Sequence, residues 1–175
     1  MEHPLEFIPR NARKALFLFF LIFALGIFGV FSFLDAPLKT SAAPNGIVSF
    51  ELAYTPEKSQ SILNSWDENA RLFAAFGLGL DYLFMPVYTL ALSLGLLLAG
   101  YEKAKPYHTL TVWAAWGAFA AALFDAVENY ALWNILQGSM VGVLPQLAGI
   151  CATVKFALLL LGVLIALVGQ FVKKV

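Results

Sequence analysis

Six polar residues stand inside stretches that are otherwise apolar: Asp81, Tyr88, Asp125, Glu128, Asn129 and Lys155. Their types allow three kinds of chemistry. A paired acid and carboxylate can trade a proton as general acid and base, with a lysine ammonium to stabilise an anion. The same groups can hold a proton, a cation or a polar head group without reacting. They can also bind one another and fix how helices pack. Asp125, Glu128 and Asn129 follow at i, i+3 and i+4, which puts them on one side of a helix. Met85 and Tyr88 follow Asp81 at i+4 and i+7. Pro86 lacks a backbone donor and frees the carbonyl of Tyr82, a spare acceptor beside Asp81.

The elements that carry these residues are membrane helices by composition. Of 175 residues, 61% are hydrophobic and 13% charged, and eleven basic residues balance eleven acidic ones. There is no excess of positive charge to neutralise phosphates, so a nucleic-acid partner is not expected. High hydrophobicity at zero net charge excludes a disordered chain. Four apolar runs extend from about Ala15 to Leu34, Leu72 to Gly100, Thr109 to Leu136 and Leu147 to Gln170. Each reaches the roughly 20 residues that cross a bilayer, and the last three exceed it. The expected fold is an all-α integral membrane protein. Residues 1–175 form a single domain of four transmembrane helices in an up-down bundle. The first run is aromatic-rich and too long for an ordinary signal-peptide core, so it is read as an uncleaved helix despite Ser41-Ala42-Ala43 after it.

Depth arithmetic brings the polar residues to one level. At about 1.5 Å per residue, Asp81 lies about 28 Å from Gly100, Asp125 about 24 Å and Glu128 about 28 Å from Thr109, and Lys155 about 22 Å from Gln170. The bland alternative is that they mark helix ends. Apolar turns continue beyond them on all three helices, which favours burial. Gly117, Ala118, Ala121 and Ala122 share the Asp125 stripe, and Ala148, Cys151, Ala152 and Gly162 share that of Lys155. Small residues mark packed rather than lipid-facing surface. The layer holds one cation and three potential anions. A retained proton, a bound cation or a cationic ligand group must balance it.

Loop 35–71 is long for a helix connection. Pro37, Pro44, Asn45 and Gly46 make its first part turn-rich, and weak alternation over Ile47 to Ala53 reads as a short extended segment. Thr55 before Pro56 and Glu57 reads as a helix start, and Ile62, Leu63 and Trp66 give that helix one apolar face, so a short amphipathic helix at the outer mouth is expected.

Lysine and arginine placement sets orientation. Arg10, Arg13, Lys14, Lys103, Lys105, Lys173 and Lys174 share one side with Glu2, Glu6 and Glu102, for plus four. The outer loop and the buried layer each contribute minus two. Both termini are therefore expected in the cytoplasm of a multi-pass cell membrane protein, bacterial inner membrane in type.

One cysteine, Cys151, precludes an intramolecular disulfide or dithiol pair. His3 and His108 lie outside the apolar runs, so no haem, zinc or di-iron site is expected, and no cofactor. The expected role is a structural or accessory membrane component whose buried layer fixes helix packing. The alternatives are a relay or binding protein for a proton, cation or polar lipid head group, and an enzyme acting on a lipid or isoprenoid at the outer leaflet. Membrane lipids are the expected partners, with a second protein or copy engaging the first helix.

Overall fold

In a computed structural model that describes residues 3–139 and 141–173, the protein is helical, with no strand among the described residues. Glu2 and Lys174, which enter the orientation argument, lie outside them. The helices are α1 (Arg10–Leu34), α2 (Ile47–Glu51), α3 (Pro56–Ser65), α4 (Glu68–Ala99), α5 (Lys105–Leu136) and α6 (Val143–Val168). Short 3-10 turns lie at Pro4–Phe7 and Ala36–Leu38.

Helices α1, α4, α5 and α6 are long and apolar enough to cross a membrane. With 25, 32, 32 and 26 residues they measure roughly 38, 48, 48 and 39 Å, against a hydrocarbon core of about 30 Å. Each starts about a turn before its apolar run; in α1, α4 and α5 a polar first turn continues the helix, and in α6 the added turn is Val143 to Gln146. At α4 this turn is capped, with Asp67 Oδ1 accepting from the Ala70 N–H at 2.7 Å. Pro86 sits within α4, which runs on through it. After α5, Gly138 adopts φ 89° and the Ser139 N–H returns to the Asn134 carbonyl at 2.9 Å.

The chain divides into two compact units. The first holds the residues up to Leu25, Pro86–Leu123 and those from Lys155 onward. Its core includes Leu96, Leu97, Val112 and Ala115. Ser93 Oγ donates to the Ala115 carbonyl at 3.1 Å, tying α4 to α5. Gly100 is required here by close approach: a Cβ would lie 2.1 Å from Thr111 Oγ1.

The second unit holds Gly26–Met85 and Phe124–Val154. Its core draws as much from the loop as from the long helices: Leu38, Phe50, Ile62, Leu63 and Trp66 pack with Ala70, Ala74, Leu78, Leu132 and Ile135. Trp66 Nε1 donates to the Leu38 carbonyl at 2.8 Å, and Arg71 to the Leu63 carbonyl at 2.6 Å. Helix α3 begins where the Thr55–Pro56 pattern puts it, with the Thr55 hydroxyl accepting from the Lys58 N–H at 3.3 Å.

The extended segment expected over Ile47 to Ala53 is instead the single-turn helix α2. A lone strand would leave its backbone groups unpaired, whereas a turn of helix satisfies them. Asp35 Oδ1 accepts the Ile47 N–H at 2.7 Å, and the Leu52 N–H reaches the Val48 carbonyl at 3.1 Å. The coiled backbone also lets Phe50 bury, its ring edge-on to Trp66 at 5.3 Å. Tyr54 closes this region at φ 60°, a costly conformation for an aromatic residue. Its hydroxyl pairs with Thr153, and its ring lies so close to Gly149 that a Cβ there would come within 2.6 Å.

Candidate functional site

The second unit contains four of the six polar residues, on two helices. On α5, Asp125, Glu128 and Asn129 are 2%, 0% and 1% exposed, while Phe124, Val127 and Tyr130 beside them are exposed. The i, i+3, i+4 spacing thus becomes one buried polar face. Ala121 and Ala118, one and two turns earlier, are fully buried on the same stripe. Small side chains permit the close approach of neighbouring backbone that this burial requires.

Asp81 supplies the partner from α4. Asn129 Nδ2 donates to Asp81 Oδ2 at 2.8 Å. With Asp81 ionised this is a charge-assisted hydrogen bond between two long helices. A second link runs alongside it, Tyr82 donating through its hydroxyl to the Ala126 carbonyl at 3.3 Å. Asp81 is half-buried, unlike the acids of α5. Asn129 Oδ1 is buried and finds no hydrogen-bond partner among the described residues. The amide therefore binds on one side and presents an open acceptor on the other.

Tyr88 and Lys155 belong to the first unit. Both are buried, Lys155 at 5% exposure. The Lys155 ammonium lies 4.7 Å from the ring centroid of its neighbour Phe156, within cation–π range. The Lys155 stripe of α6 is buried as expected, with Ala148, Cys151 and Ala152 at or below 4% exposure.

Glu51 is a further buried acid, which the sequence reading counted only within the net charge of the outer loop. Its signal was available: Phe50 precedes it and Ala53 follows, and both are buried. Among the described residues, no group of three or more His, Cys, Asp or Glu side chains is arranged to hold a metal ion.

The chemistry open to the second-unit cluster follows from its parts. Two buried carboxyls on one helix face can hold or exchange protons. The Asn129 amide can orient Asp81 and accept from a further donor. No protein-family model matches the chain, and no curated protein or solved structure is significantly similar to it.

Proposed function

We propose that the protein is a multi-pass membrane component of structural or accessory role, whose buried acid–amide cluster sets the packing of its long helices. In this reading the four long helices cross the membrane up and down, with both termini cytoplasmic and α3 at the outer mouth. The observation that carries it is the Asn129–Asp81 hydrogen bond between α4 and α5 beside the buried Asp125 and Glu128. Polar groups at membrane depth cost several kcal/mol unless satisfied, so such a cluster favours the one register that satisfies it.

Depth arithmetic from the sequence makes Lys155 the candidate counter-charge. The test is accumulation and thermal stability in native membranes. Lys155→Met should sharply reduce both, and adding Glu128→Gln should restore part of the loss by removing an anion. Wild-type accumulation and stability of Lys155→Met would count against a structural layer.

A relay or binding role is the second reading, favoured by the open Asn129 Oδ1 acceptor among buried carboxyls. It expects Glu128→Gln to leave the fold intact while abolishing a dependence of the melting temperature on pH or monovalent cations. A wild-type melting temperature that is flat in both would remove this reading.

A further inference from the structure

The N-terminal turn of the first unit carries a separate polar cluster. His3 precedes the Pro4–Phe7 turn as its cap. Its Nδ1 accepts the Leu5 N–H at 3.2 Å, and the His3 backbone N–H donates to Glu6 Oε2 at 2.7 Å. The other Glu6 oxygen lies 3.1 Å from His108 Nε2 on α5. The His3 ring is 2% exposed and packs against Trp116 and Phe119 of α5, at centroid distances of 4.9 and 5.4 Å. Leu5 packs on the apolar cluster of Leu96, Leu97, Val112 and Ala115. Arg13 of α1 donates to the Glu6 and Ile8 carbonyls at 2.9 and 2.8 Å.

We propose that this turn is a pH-sensitive clasp, docked on α5 while the His3 imidazole is neutral and released when it is protonated. The hydrogen bonds decide the direction. Because Nδ1 accepts from Leu5, the neutral ring must carry its proton on Nε2. An imidazolium carries protons on both nitrogens, so it cannot accept the Leu5 N–H and the cap breaks. The buried His3 Nε2 has no hydrogen-bond acceptor among the described residues, so a charge on the ring would be poorly compensated. The Trp116 and Phe119 faces would offset part of that cost.

Among the described residues the surrounding charges are few. Glu6 lies on the turn itself, His108 on α5, Arg10 and Arg13 on α1, and Glu102 follows α4. Arg10 lies over the Tyr101 ring at 4.2 Å and 3.7 Å from Glu102. Trp116 and Phe119 carry no charge, and neither do the α4 and α6 residues of the apolar cluster that Leu5 joins (Leu92, Leu96, Leu97, Ile165 and Ala166).

Burial pushes the His3 imidazole below its ordinary value, with the Glu6 carboxylate partly opposing. The docked state therefore binds fewer protons than the released one. Docking is complete above about pH 6.5, the ordinary imidazole value, and weakens as pH falls from there to the lower docked-state value.

Hydrogen exchange of the Leu5–Ile8 amides in full-length protein in lipid nanodiscs tests this, with rates corrected for intrinsic pH dependence. Between pH 7.5 and 5.5, above the ordinary carboxylate range, protection should fall by up to about tenfold. His3→Asn keeps a capping acceptor and cannot titrate, so its protection should be flat with pH. His108→Gln should keep the wild-type fall. Flat protection in the wild type would overturn the proposal. So would a fall that survives His3→Asn or vanishes in His108→Gln.

Discussion

Helix α5 serves two polar clusters built on different principles. Toward its C-terminal end, Asp125, Glu128 and Asn129 form a fully buried face and bind α4 through Asp81. Toward its N-terminal end, Trp116, Phe119 and His108 receive a turn from residues 3–8 through a half-buried carboxylate and one buried imidazole. The first cluster joins long helices, and its α5 side chains are buried. The second is a local turn placed on a helix, with peptide groups making most of its bonds. Disruption of the first should therefore destabilise the second unit, whereas disruption of the second should loosen a segment and leave the helices in place.

Substitutions grade this contrast. Asn129→Leu removes the donor to Asp81 and leaves a carboxylate facing an apolar side chain. It should cost about 2–3 kcal/mol, seen as a large fall in melting temperature in detergent. Gly149→Ala drives a methyl into the Tyr54 ring and should cost about 1–2 kcal/mol in the same measurement. The loss should shrink when Tyr54→Gly is added, because the ring is gone and the positive φ is relieved. Thr55→Ala removes the α3 cap and should cost about 1 kcal/mol. His108→Gln breaks a partly exposed pair with Glu6 and should change global stability by less than about 1 kcal/mol. A reversal of this order, with His108→Gln costing more than Asn129→Leu, would break the comparison.

The same contrast explains what could be read from the sequence. Asp125, Glu128 and Asn129 were legible because helical periodicity is the only pattern available to a long apolar run. Spacing alone then fixes a common face. The cap at Thr55 was legible because side chain and backbone meet within three residues. The single-turn helix α2 was not, since five residues hold too few repeats to separate helix from weak alternation. The Tyr54 contact with Gly149 and Thr153 joins residues nearly a hundred positions apart and leaves no local trace. The His3 clasp sits between these cases. A capping residue with Glu three positions on is a readable pattern, but only the packing on Trp116 shows that the ring is buried.

The Asn129–Asp81 bond joins α4 to α5. A double-mutant cycle of Asp81→Ala and Asn129→Ala, read by reversible unfolding in bicelles, tests it most directly. The account predicts a coupling energy of about 1 kcal/mol or more, the upper part of the range for polar pairs between membrane helices. Additive single and double variants, with a coupling indistinguishable from zero, would contradict it.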